Sequence, residues 1–310
     1  MRENALQLSI ATGRLTLPVV IFICLLLWGC SCRSWSDWGS LSIVAVTAYL
    51  MIEGNTAFSL IRTRTTFPVS IYLYLTASLF FLHPFRWDNL VPPAVLCSLL
   101  HLYAGYEKTS EAAHPFHAFL FIGLGSLAFP PLLYAIPLGL VGMIQLRFFS
   151  FKNLVAALLG VAFPYWLLFG YAFLVDRMSL FEAPFRELVH FRAIDYAHLT
   201  LNEVLAWGAV TLSLLVSGGH YLKVSYQDKT RTRSCLLFLV TTGGFATLAV
   251  LLQPQHLSVL IQIQLLCTAF LNAHLFTLTR NRFSGIYFIL IFVLFIFLTL
   301  YNLWMQFFSF

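Results

Sequence analysis

The chain has 310 residues, 60% of them hydrophobic and 10% charged, with a mean hydropathy of +0.84. A water-soluble globule solvates its surface with about 25% charged residues, so that class is excluded. The net charge of +6 comes from basic residues dispersed among loops rather than gathered in a stripe, which argues against nucleic-acid binding.

Runs of about 20 apolar residues match the length a helix needs to cross a hydrocarbon core of roughly 30 Å. They do not alternate in the way the strands of a transmembrane barrel would. The sequence therefore predicts an all-α, polytopic transmembrane bundle forming a single domain over 1–310. The first run, from Leu15 to Cys32, follows Arg2 and Arg14 and resembles a signal peptide. However, Trp28 stands where a cleavage site wants a small residue, and a first transmembrane helix is the better reading. Further spans are expected at about 40–60, 68–83, 91–106, 116–129, 131–147, 153–175, 203–222, 234–252, 256–277 and 283–308, or eleven in all. The fifth and sixth meet at Phe129-Pro130-Pro131, where the missing amide N–H groups enforce a break. They are read as two short crossings or one re-entrant hairpin.

With the N-terminus inside, thirteen of the 18 basic residues fall on the inner side. The positive-inside rule then puts the N-terminus in the cytoplasm and the C-terminus outside, as expected of a multi-pass protein of a bacterial inner membrane. Six cysteines at 24, 30, 32, 97, 235 and 267 lack zinc spacing and read as small hydrophobes. No metal and no cofactor is implied. His114 and His117 have chelating spacing, but the histidines divide between the two sides.

The longest hydrophilic interruption is 176–203, an external loop. Met178, Phe181, Phe185 and Leu188 recur at helical spacing, with Glu182, Arg186 and His190 on the opposite side. This is the pattern of an amphipathic helix lying in the interface near Ser179–Arg192. Pro184 is expected within about the first turn of that helix, where its missing N–H costs nothing. The helix either anchors the loop in the interface or roofs a site. Two external acids, Asp37 and Asp88, are candidate catalytic groups, because a general base above the membrane could serve a lipid-linked substrate. His83, Arg86, Glu182, Arg186, His190 and His256 are candidate substrate-binding residues around them. Inside the bilayer Glu53 is the notable acid, close to Asn55, Arg62 and Arg64. An intramembrane acid is a functional candidate by default. A polar path for a transporter would have to be built from little more than Glu53, Gln262, Gln264, Asn272 and His274.

The stretch from Asn55 to Pro68 and that from Gly123 to Tyr134, leading into Arg147–Asn153 and Gly160–Tyr165, resemble a family of multi-pass inner-membrane proteins from Bacteroidota. The match implies a localisation and carries no activity. More distantly, the order of short helices after residue 90 is similar to the membrane core of GT-C glycosyltransferases, which use polyprenyl-phosphate sugars. That fold places a catalytic Asp or Glu in its first external loop, and Asp37 is the only acid at the matching position. The very short first loop, the absent paired acidic motif and the missing external domain depart from it, so the likeness stays at the level of the fold. Three function classes follow. The first is a non-catalytic cell-envelope or assembly subunit with membrane-protein partners. The others are a GT-C-like transferase on a polyprenyl-phosphate carrier and a transporter or flippase. Membrane lipid is the expected partner of all three.

Overall fold

A computed structural model describes residues 5–32, 34–189, 194–279 and 281–308, and over these the chain is helical, with no strand. In a hydrocarbon core every backbone N–H and C=O must be satisfied within its own segment, which leaves the helix as the form an apolar run of this length adopts. Among the described residues six helices are long and apolar enough to cross a membrane: Asp37–Phe58, Phe151–Leu174, Leu201–Gln227, Thr230–Leu252, Pro254–Leu278 and Arg282–Met305. The chain divides into two compact units, the first formed by 1–86 with 195–310 and the second by 87–194.

The first unit contains α1 (Ala5–Thr12), α2 (Thr16–Ser31), α3 (Asp37–Phe58) and α4 (Phe67–Ser78). The second unit contains α5 (Val91–Ala104), α6 (Ala113–Ala128), α7 (Ile136–Gln145), α8 (Phe151–Leu174) and α9 (Ser179–Val189). The first unit then continues with α10 (Leu201–Val224), α11 (Thr230–Leu252), α12 (Leu257–Leu278) and α13 (Arg282–Phe308). Local chemistry sets several of the starts. Thr200 and Glu203 close a reciprocal capping box on α10, satisfying amide donors the first turn leaves open. Ser150 accepts from the Asn153 N–H at the start of α8.

The first unit is organised around α12, whose spanning window is wholly buried. Without a hydrophobic drive between helices in lipid, such a helix is held by close packing and interhelical hydrogen bonds. Gln264 Nε2 donates to Thr211 of α10 at 3.0 Å and Thr247 of α11 at 2.8 Å. Asn272 donates to Ser213 of α10 at 2.7 Å and accepts from Tyr287 of α13 at 3.0 Å. Two of the polar residues considered for a transport path are thus ties between neighbouring helices. A short helix absent from the sequence reading, α1, is pinned to the same core. Gln7 donates to the carbonyls of Phe276 and Thr279 at 2.7 and 3.0 Å.

Contacts of Arg62 with Asp228, of Arg231 with Phe58 and of Tyr221 with Arg233 bring several loops of this unit together. The turns that carry Arg14, Arg62, Arg64, Lys223, Lys229, Arg231, Arg233 and Arg282 are tied to one another at one end, whereas Arg86 meets Ser258 at the start of α12.

In the second unit the Pro130-Pro131 break is a 3-10 turn over Pro130–Ala135, and α6 and α7 form a hairpin about it. α7 returns to where α6 began, with the Glu107 N–H bonded to the Leu146 carbonyl at 3.1 Å. α6 is the more buried arm, enclosing Ala118, Phe119, Ile122 and Ser126. α7 buries Gly139, Gly142 and Met143 but exposes Val141 and Ile144. α6 and α8 approach closely at two glycines. A Cβ at Gly160 would collide with the Phe116 carbonyl oxygen, and one at Gly123 would lie 2.9 Å from the Val161 carbonyl oxygen. Only a missing side chain allows backbones so near.

α9 is the amphipathic helix of the long loop. Phe181 and Phe185 pack on Phe169 and Tyr165 of α8, with ring centroids 5.4 and 5.2 Å apart. Pro184 corrects the sequence reading. It lies inside the helix, buried, rather than in its opening turn, because bonded turns already begin at Arg177. Its ring is therefore tolerated by a short helix that leans on α8, at the loss of one helical hydrogen bond.

Candidate functional site

The residues proposed for chemistry are divided between the two units. Asp37 belongs to the first unit and Asp88 to the second. Asp37 is the first residue of α3 and is buried, 8% exposed. Its Oδ2 accepts the Ser34 N–H at 3.0 Å, and its Oδ1 faces the Phe85 N–H at 3.4 Å. Its carbonyl accepts from Trp28 Nε1 at 3.1 Å and from the Ser40 hydroxyl at 2.6 Å. A carboxylate at the first turn of a helix is favoured by the exposed amide dipoles there. Asp37 extends that role by joining the loop before α3 to the loop after α4.

His83 completes this knot. Its ring stacks on Trp28 with centroids 3.7 Å apart and planes 19° from parallel. Its Nδ1 meets the Ser31 hydroxyl, and its carbonyl meets the Ser40 hydroxyl. Its Nε2 is buried. Nearby at this end, Arg86 donates to Ser258 at 3.2 Å, and His256 lies beside Gln255 with nitrogens 3.4 Å apart.

In the second unit Asp88 sits half-buried in the 3-10 turn Trp87–Leu90. Glu182 and Arg186 form an exposed pair one turn apart on α9, at 2.6 Å. His190 lies outside the described residues. Glu53 is exposed on the side of α3, and the guanidinium of Arg62 turns to a different acid.

That acid is Asp228, which the sequence reading passed over. It lies in the short turn between α10 and α11, in a loop whose lysines and arginines were counted only for orientation. Its side chain is 1% exposed. One oxygen accepts from Arg62 Nε at 2.7 Å, and the other from His274 Nε2 of α12 at 3.0 Å. Tyr221 of α10 sets its ring edge-on to His274, with centroids 4.9 Å apart at 90°. The Tyr221 hydroxyl reaches the Arg233 carbonyl at 3.5 Å. Burial alone would raise the Asp228 carboxyl, but the hydrogen bonds from His274 and Arg62, aided by their charge, outweigh it and hold the group below the ordinary carboxylate value. The signals that could have found this cluster are an acid isolated among cations in a short loop and a lone histidine in an apolar run. Both are legible one at a time, and only the fold joins them.

Cys24, Cys32, Cys97, Cys235 and Cys267 are free thiols. Among the described residues no three His, Cys, Asp or Glu side chains come together as a metal site would require. Compared with protein-family models, curated proteins and solved structures, the chain matches none of them.

Proposed function

We propose that the chain is a non-catalytic multi-pass subunit of a bacterial inner membrane, serving the assembly or integrity of the cell envelope through membrane-protein partners. The observation that carries this reading is the state of Asp37. A general base needs to reach its substrate, whereas this carboxylate is buried, 8% exposed, and turns both oxygens to backbone N–H groups, those of Ser34 and Phe85. The second buried acid, Asp228, is likewise engaged on both oxygens, by a guanidinium and an imidazole.

The same reading keeps eleven crossings, with the N-terminus in the cytoplasm and the C-terminus outside. The gathering of cations at one end of the first unit supports it, since cytoplasmic loops carry the excess of Lys and Arg. The turn holding Asp228 then faces the cytoplasm, and Asp37 the outer side.

The competing transferase reading is separable by experiment. Purified protein in liposomes is given radiolabelled polyprenyl-phosphate sugars with lipid and peptide acceptors. The expected transfer is no greater for the native chain than for Asp37→Asn. Turnover that Asp37→Asn abolishes while remaining monodisperse would overturn the proposal.

A further inference from the structure

The first unit contains an apolar cavity of about 340 Å³, walled by α2, α4, α12 and α13 together with the turn before α2. We propose that it seats one acyl chain of an anionic phospholipid, with the lipid phosphate held at Arg14. This assignment does not depend on the non-catalytic reading.

The wall chemistry selects hydrocarbon. Most of the lining is aliphatic or aromatic, including Val20, Phe67, Ile71, Phe292 and Phe295. The polar side chains that touch it are already engaged elsewhere. Thr16 donates to the Ile10 carbonyl and Ser70 to the Thr66 carbonyl. Asn272 is bonded on both its nitrogen and its oxygen, and the Tyr74 hydroxyl is shared with Thr299 and Ser78. A water needs two to four polar partners, and such a wall offers none to spare.

Size narrows the occupant. Taking a methylene as similar to a water at about 30 Å³, the volume holds roughly eleven such units, which suits one chain rather than two. From Phe67 to Leu75 the cavity follows α4 for about 12 Å at 1.5 Å per residue, starting at the basic end of the unit. The mouth is at α2, where Leu15 is 75% and Val19 53% exposed while both line the cavity. An unfilled space there forfeits dispersion contacts, and a neighbouring lipid chain can restore them.

Charge names the head group. Arg14 stands exposed in the turn immediately before Leu15, at the end of the unit where the other cations gather. A chain entering between Leu15 and Val19 leaves its phosphate at the level of that guanidinium, a planar donor suited to phosphate oxygens.

The test uses the full chain in nanodiscs of zwitterionic lipid doped with phosphatidylglycerol carrying a diazirine on one acyl chain. Adducts are mapped by mass spectrometry after irradiation. Labelling is expected to concentrate on Tyr74, Ile71 and Phe292, above that of the exposed α13 positions Val293 and Phe297. Val20→Trp or, from the opposite wall, Ser70→Phe should lower cavity labelling severalfold and leave the α13 labelling unchanged. Arg14→Gln should erase the preference for the phosphatidylglycerol probe over a phosphatidylcholine one. Cavity labelling no higher than on the outer face of α13, or unmoved in both filled variants, would overturn the site. Equal labelling by the two probes in the native chain would overturn the head group. Displacement by polyprenyl phosphate at lower concentration than by phosphatidylglycerol would overturn the choice of phospholipid.

Discussion

The two ends of the first unit each bury an aspartate beside a histidine, and they use the pair in different ways. At one end Asp37 spends its charge on backbone N–H groups of the loop before α3 and the loop after α4, while His83 is held apart from it, stacked on Trp28. At the other end Asp228 bonds directly to His274 and Arg62 and so joins the α10–α11 turn to α12 and to the loop after α3. The first arrangement closes loops locally and needs an acceptor more than a charge. The second is a side-chain ion network whose members come from three separate stretches of chain, and it needs the charge. Identical residue types therefore predict different consequences when they are altered.

The largest effect is expected at Asp228. Asp228→Ala leaves His274 buried and Arg62 without its carboxylate. Removing one member of a buried pair costs about 3–5 kcal/mol, and the half-exposed Arg62 lowers that figure because water can solvate it. The yield of monodisperse protein from membranes should fall sharply, and a wild-type yield would break the comparison. Gln264→Leu comes next. It keeps the volume but cuts the ties from α12 to α10 and α11, which in membranes are worth about 0.6 kcal/mol on average and up to about 2. Midpoints of heat-induced aggregation in detergent measure it, and no change would remove Gln264 from the ties around α12.

A pH series sharpens the same contrast. The folded Asp228 carboxyl lies below its ordinary value, so its contribution is complete above the unfolded pKa of about 4 and is lost as pH falls through the lower folded value. Stability of the native chain should therefore decline below about pH 4, and Asp228→Asn should flatten the part of that decline that this group causes. An unchanged profile in the variant would assign the acid limb to other carboxyls. Sidedness is the smallest perturbation of all. On a background without native cysteines, Ala197→Cys should react with an impermeant thiol reagent added from outside, and Tyr226→Cys only after the membrane is opened. The reverse pattern would invert the two ends.

Much of the helical framework was legible because hydropathy is a one-dimensional signal. Each apolar run holds a helix, and the spacing of Met178, Phe181, Phe185 and Leu188 announced α9. The errors have physical causes. α1 was missed because its hold on the core runs through Gln7, whose partners lie some 270 residues away in sequence. Pro184 was placed too early within α9, since from the expected start at Ser179 it is already past the first turn. Asp37 drew attention as an external acid, but its caps could not be seen, since the Phe85 N–H is 48 residues distant. Asp228 hid in the opposite way, as an acid whose basic neighbours carried a louder message about orientation.

The sign of the stability change at Asp37 tests the central claim most directly. An acid kept for catalysis is commonly held at a cost to the fold, so neutralising it tends to stabilise, whereas a capping acid loses about 1 kcal/mol on losing its acceptor. Asp37→Asn and Asp228→Asn would be heated side by side in detergent and their apparent melting temperatures compared with that of the native chain. The predicted result is a small decrease for Asp37→Asn, where the amide oxygen can keep the Ser34 N–H, and a much larger one for Asp228→Asn. An Asp37→Asn variant more stable than the native chain would contradict the account and return Asp37 to the list of catalytic groups.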